Sequence, residues 1–176
     1  MKSPSLTRDL LTEYAQYNYW ANERIATLLE GHPEVIDVEI PSSFPTVRRT
    51  VCHLWDAETI WLKRLQGVSL DYWPSERYGN DGLAFLDLWL SVSGAFITII
   101  KENDDDFVET SIHYKATSGR EHTNAVWQII MHVMNHGTYH RGQLITMLRE
   151  LGVDHDLPAT DLIVFFRAKA VGEIRL

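Results

Sequence analysis

The sequence predicts an all-α protein, specifically a four-helix bundle with a small β-hairpin between the third and fourth helices. Two observations lead to this fold class. Four long segments repeat apolar residues at spacings of three and four, as amphipathic helices do. The chain has 176 residues, which suits one domain with a single core. No repeat or linker-like stretch divides it, so we expect residues 1–176 to form one domain.

The first two segments have clear ends. Leu6–Leu29 carries the helical spacing, and Gly31 and Pro33 terminate it. The second helix is expected at Thr46–Gln66, with Gly67 just past its end. Both are long enough to span a small bundle.

The third helix is expected at Leu83–Glu102, after a turn at Asn80–Gly82. Its stretch 83–100 carries one charge, Asp87, and approaches the length of a membrane span. Because Ser91 and Thr98 interrupt that stretch and no second one exists, we expect a deeply buried helix of a soluble protein.

The fourth helix is expected at Thr123–Leu151, with Thr123 as its N-cap. Before it, Val108–Tyr114 has strand character and Ser118–Gly119 can form a turn, which together predict the hairpin. After it, the apolar segment Leu162–Phe166 predicts a final helical turn or two packed on the bundle.

The third helix is apolar around most of its circumference. Packing on one side requires an apolar stripe of only about 100°. A homodimer is the simplest cover for the remaining surface. The alternative is that loops and the C-terminal segment cover it.

Composition excludes several classes of function. The net charge is −8, and an acidic surface does not attract a phosphate backbone, so we expect no nucleic-acid partner. The single cysteine, Cys52, permits no internal disulfide. Residues 1–9 show no apolar run of a secretion signal. We therefore expect a cytoplasmic protein with no membrane partner.

Three of the eight histidines lie on the fourth helix, at His132, His136 and His140. Neighbours four residues apart can bind one metal ion, whereas the outer two are separated by a rise of about 12 Å. On a helical wheel His136 and His140 face the apolar stripe and His132 lies at its edge, so we select His136 and His140.

His53 on the second helix is the best candidate for a third ligand, because it flanks the apolar stripe of that helix. Its neighbour Cys52 points about 100° away. Three histidines leave a coordination position open, as in catalytic sites. The alternative interpretation is that these histidines are hydrogen-bonded core residues without a metal.

Glu58 and Arg141 are the candidate catalytic residues. Glu58 falls inside the apolar stripe of the second helix, where a carboxylate must be paired or protonated. It could accept a proton, or it could form a structural ion pair with Arg24, Arg64 or Arg141. Arg141 and Gln143 could hold an anionic group of a substrate.

The chain resembles the DinB-like superfamily of metal-binding four-helix bundles, which includes the YfiT-like hydrolases and bacterial thiol S-transferases. The resemblance covers nearly the whole chain. Its most specific part is Asn135–Gln143 on the fourth helix. Supporting matches are Tyr19–Asn22, Ser43–Phe44, His53, Glu58, Trp61, Pro158 and Asp161–Ile163.

The resemblance implies a divalent metal, often nickel or zinc, held by His53, His136 and His140, with His132 at the rim. It further implies activation of a low-molecular-weight thiol, or of water, for transfer to a small electrophilic substrate. The alternatives are a metal-dependent hydrolase and a non-catalytic dimeric bundle whose metal only ties two helices together.

Overall fold

The computed structural model describes residues 6–79 and 82–174, and four long helices dominate it. These are α1 (Leu6–Gly31), α2 (Val47–Leu65), α3 (Ala84–Glu102) and α5 (Val126–Glu150). A short helix, α4 (Asp105–Glu109), and an antiparallel hairpin of β1 (Ser111–Lys115) and β2 (Glu121–Ala125) join α3 to α5. The last helix is α6 (Leu162–Ala170). The predicted all-α class with a small hairpin is confirmed.

The long helices pack in a ring. α1 contacts α3 and α5, and α2 contacts the same two helices. Apolar side chains form two separate core clusters between these helices, one at each end of the bundle. Because α2 and α5 are neighbours, residues on their facing sides can form one site.

Helix ends follow the expected signals closely on α1 to α3. Thr46 is the N-cap of α2, and its hydroxyl oxygen accepts a hydrogen bond of 3.1 Å from the Arg49 amide. α3 begins at Ala84, one residue after the expected start. The predicted turn at Asn80–Gly82 lies largely outside the described residues.

The predicted N-cap of the fourth helix is wrong. Thr123 lies in β2 opposite His113, so its backbone pairs with β1, and α5 begins only at Val126. The strand predicted at Val108–Tyr114 also begins later than expected, because Val108 is buried in α4.

Helix α3 is buried on one face only, so the expectation of a deeply buried helix is wrong. It is the one helix in the described ranges that is long and apolar enough to cross a membrane, and a third of its apolar window is buried. The buried face packs on α1 and α2 as in a soluble domain.

Helix α6 closes onto α1, as expected for the apolar C-terminal segment. Phe165 is fully buried and packs on Tyr17 and Trp20 with ring centroids 6.0 and 5.6 Å away. The Tyr17 hydroxyl donates a 2.8 Å hydrogen bond to the Thr160 carbonyl, which fixes the segment before α6.

Candidate metal centre

Three histidines from two helices converge at one point of the ring. His53 of α2 meets His136 and His140 of α5, and one nitrogen from each lies within 4.8 Å of the others. The Nε2 atoms of His53 and His136 are 3.1 Å apart. The structure therefore brings together all three predicted metal ligands.

The helical spacing explains which histidines join. The rings of His136 and His140, one turn apart, have centroids separated by 4.3 Å. His132, a further turn away, lies 5.9 Å from the His136 ring and packs against Trp61 instead. It sits at the rim of the cluster.

The spacing of the nitrogens fits a metal ion. Two nitrogens about 2.05 Å from zinc at an angle of about 100° are separated by about 3.1 Å, which matches the distance between His53 and His136. Imidazole nitrogens suit zinc and nickel alike. The donor set is compatible with a divalent ion that has open coordination positions.

Burial favours the neutral form of the three imidazoles, which is the form that binds metal. Burial, with a contribution from His140, lowers the pKa of His53 to about 4. Burial and the neighbouring histidines lower the pKa of His136 to about 3. Burial also lowers the pKa of His140.

Gln143 orients His140. The Nδ1–H of His140 donates a 2.7 Å hydrogen bond to Oε1 of Gln143. Because that oxygen can only accept, Nε2 of His140 remains the free nitrogen for a metal. The amide thus orients a histidine of the cluster, a role that differs from the anion binding we considered for it from the sequence.

Aromatic side chains border the cluster. Phe44 stacks on His53 at 4.4 Å and lies 5.8 Å from His140. Tyr139, 64% exposed, packs edge-on against His140, and Trp73 lies 6.4 Å from His53. A ligand would approach between apolar rings.

Glu58 and Arg141 lie in a buried polar network, and both are 1% exposed. Oε1 of Glu58 accepts hydrogen bonds of 3.0 Å from the amides of Asn18 and Asn22. The oxygens of the same two amides accept from Nη1 of Arg141, at 2.6 and 2.7 Å. Ser93 donates a 2.5 Å hydrogen bond to Oε2 of Glu58.

The network therefore connects the two charges through amides. Burial raises the pKa of Glu58, while its hydrogen bonds oppose that rise. Neither Glu58 nor Arg141 hydrogen-bonds to a histidine of the cluster, so the geometry favours a positioning role. Direct participation in catalysis stays a prediction.

Because residue 137 is a glycine, the polar network of Asn18 and Arg141 can lie directly against the backbone of α5. A Cβ at this position would lie 2.5 Å from Oδ1 of Asn18 and 2.9 Å from Nη1 of Arg141. Gly137 and Asn22 fall within the motifs that carry the family resemblance, but the sequence did not indicate their place in this network, and Asn18 was not identified at all. The signal was present, since Asn18 and Asn22 share one helical face with apolar α1 residues.

Cys52 takes no part in the cluster. Burial raises the pKa of its thiol to about 11, so the thiolate needed for metal binding is disfavoured. It lines a different cavity of about 580 Å³, together with Arg48 and Tyr78.

The ring of helices and the histidine cluster define a helical protein with a candidate three-histidine metal centre. The sequence model that describes the DinB family matches residues 3–171 of this chain, and the chain belongs to that family. It is 26% identical over 152 residues to Protein DinB of Bacillus subtilis (strain 168), covering 82% of this chain and 87% of the relative.

Proposed function

We propose that the protein is a metal-dependent enzyme of the DinB family that activates a thiol for transfer to a small electrophilic substrate. The observation that carries the proposal is the convergence of His53, His136 and His140 within 4.8 Å. Three protein ligands leave room for an exogenous ligand, as catalytic sites require. Nickel or zinc is the proposed metal.

A bound divalent ion would lower the pKa of a coordinated thiol and stabilise the thiolate. The chain supplies the remaining requirements. Gln143 fixes the tautomer of His140, and the buried network of Glu58 and Arg141 ties α5 to its neighbours. Phe44 and Tyr139 provide apolar walls that favour an uncharged electrophile beside the thiolate.

Metal analysis of tag-free protein is the first test. We expect about one nickel or zinc per chain, lost in His136→Ala and in His140→Ala. His155→Ala is the matched control, because this exposed loop histidine lies outside the cluster and its loss should leave the metal content unchanged. Wild-type protein that takes up neither metal would refute the proposal.

The second test concerns the thiol. Cobalt-substituted protein should develop a thiolate-to-cobalt absorption band in the near ultraviolet when 2-mercaptoethanol is added. Metal without this band would contradict thiol activation. It would leave a hydrolase that uses metal-bound water, or a metal that only ties α2 to α5, as the remaining functions.

We also propose that the protein works as a homodimer in the cytoplasm. The outer side of α3 exposes Leu88, and a groove of about 540 Å³ there is lined by Tyr19, Gly94 and Ile97. Light scattering should give twice the chain mass, and Leu88→Arg should give the monomer. Leu10→Arg, at an exposed apolar position of α1, should leave the dimer intact. A monomeric wild type would contradict this proposal.

A further inference from the structure

A groove lies along α5 beside the histidine cluster. It has a volume of about 310 Å³, and α5 forms one wall while the segment before α2 forms the other. Its lining residues are Pro41, Ser42, Tyr139, Gly142, Gln143, Thr146, Met147 and Glu150. The positions on α5 recur at spacings of three and four, so they form one strip that runs to the last residue of the helix.

Two of the lining residues also contact the candidate metal centre. The Tyr139 ring packs edge-on against the His140 ring, with centroids 4.9 Å apart. Nδ1–H of His140 donates its hydrogen bond to Oε1 of Gln143. Nε2 of Gln143 makes only long contacts of 3.4 Å, to the hydroxyls of Ser43 and Tyr139, which leaves this amide able to donate to a ligand. The groove therefore begins at the edge of the histidine cluster.

The far end of the groove is acidic. Glu150 is the one charged residue among those that line it, and its side chain is exposed. Across residues 6–79 and 82–174 Glu150 has no hydrogen bond and no ion pair. Arg149 precedes it in the chain, but adjacent helical side chains point about 100° apart, and Arg149 does not line the groove.

The end of the helix adds to the attraction for a cation. Glu150 is the last residue of α5, where the helix dipole places partial negative charge, so a carboxylate there opposes helix stability. The dipole and the carboxylate together favour a positive group. One turn earlier, the hydroxyl oxygen of Thr146 can accept a hydrogen bond from such a group.

The length of the groove defines a class of ligand. From Gln143 to Glu150 the helix rises about 10 Å, at 1.5 Å per residue. We propose that the groove binds the chain of an extended aminothiol, whose sulfur reaches the metal centre and whose far end is a primary ammonium group beside Glu150. The role of the sulfur rests on the proposed function, whereas binding of the ammonium group depends only on the groove.

The test compares aminohexanethiol with mercaptohexanol, which carry their sulfur and their polar group at opposite ends of the same chain. Affinity for cobalt-substituted protein is read from the thiolate-to-cobalt absorption band, and because both thiols meet the same metal, its own contribution cancels. We expect the amine to bind about threefold to fivefold more tightly than the alcohol, as an exposed ion pair permits. The preference should fade in about 1 M salt, where charges are screened within about 3 Å.

Substitutions at Glu150 test the assigned position of the ammonium group. Glu150→Gln should give the two thiols equal affinity, and Glu150→Lys should reverse their order. Glu102→Gln is the matched control, because Glu102 is the exposed last residue of α3 and lies at the end of the bundle away from the groove. It changes the net charge by the same amount, so the preference for the amine should persist.

Two outcomes separate this inference from the proposed function. If both thiols give the band with equal affinity, or if the preference survives in Glu150→Gln, the aminothiol is refuted while thiol activation stands. If neither thiol gives the band, thiol activation fails, and the S-methyl ether of aminohexanethiol tests the ammonium end on metal-free protein. A shift of the Gln143 side-chain amide in two-dimensional NMR that is lost in Glu150→Gln would support the groove, and no shift would overturn it.

Discussion

Gly137 and Gly142 lie on the same helix, yet we expect Gly→Ala to have opposite effects at the two positions. A Cβ on Gly137 would approach Oδ1 of Asn18 to 2.5 Å, where ordinary contacts begin at 3.4 Å. The amide must therefore move by about 1 Å. Gly142 is exposed, and a Cβ there meets nothing within 4 Å.

The magnitude for Gly137→Ala follows from the displaced hydrogen bonds. Oδ1 of Asn18 accepts from the buried Arg141 at 2.6 Å, and a bond to a charged group contributes about 1.5–3 kcal/mol. Strain in a well-packed interior adds to this loss, while alanine gains about 1 kcal/mol in helix propensity. We expect a net loss of about 2 kcal/mol.

Gly142→Ala should instead stabilise the protein by about 0.5–1 kcal/mol, because only the propensity changes. For a chain of this length, about 2 kcal/mol lowers the Tm by about 4–8 °C. Thermal unfolding followed by circular dichroism, in the presence of a chelator, measures both variants. If Gly137→Ala were as stable as Gly142→Ala, the close approach of the network to α5 would be refuted.

Three further outcomes are expected. Gln143→Ala should weaken zinc binding about tenfold or more with little effect on stability, because His140 loses the acceptor that fixes its tautomer; competition with a chromogenic chelator measures this. Hydrogen bonding to Arg48 lowers the pKa of Asp37. The pair therefore stabilises the fold above the pKa of about 4 that Asp37 has in the unfolded chain, and it loses that effect in acid. The difference in Tm between wild type and Asp37→Asn should shrink as the pH falls below about 4. Phe165→Ala should cost about 3–5 kcal/mol in urea unfolding, because it empties a fully buried site between α1 and α6.

Each of these expectations has a result that contradicts it. Unchanged zinc affinity in Gln143→Ala would show that the amide does not control His140. If the difference in Tm between wild type and Asp37→Asn widened in acid, the Asp37–Arg48 pair would not stabilise the fold in the way assigned to it. A loss below about 1 kcal/mol in Phe165→Ala would mean that α6 does not depend on this contact.

Local signals in the sequence predicted a helix end correctly where the contacts that determine that end are themselves local. The end of α1 near Gly31 and the start of α2 next to Thr46 depend on neighbours within a turn or two. Thr123 has the chemistry of an N-cap as well, but strand pairing with β1 determines its conformation. Pairing between segments ten residues apart competes with a cap and cannot be judged from the cap residue alone.

The members of the histidine cluster could be predicted because the wheel positions of His136 and His140 show which face of the helix is buried. What the wheel could not show is the partner of each buried polar group. Glu58 was recognised as buried, and Arg141 was one of three possible partners. The two asparagines between them come from α1, a helix distant in sequence, so only the assembled ring of helices reveals the connection.

The amide link between Glu58 and Arg141 limits how the histidine centre could be moved to another scaffold. Grafting the three histidines onto an unrelated pair of helices would copy the donors but not the rotation of the helix that aims two of them. That rotation is held about 100° around α5 by Gly137 and by the network that links Arg141 to Glu58 through two amides, and none of these side chains hydrogen-bonds to the donors. A designer would need to transfer both faces together.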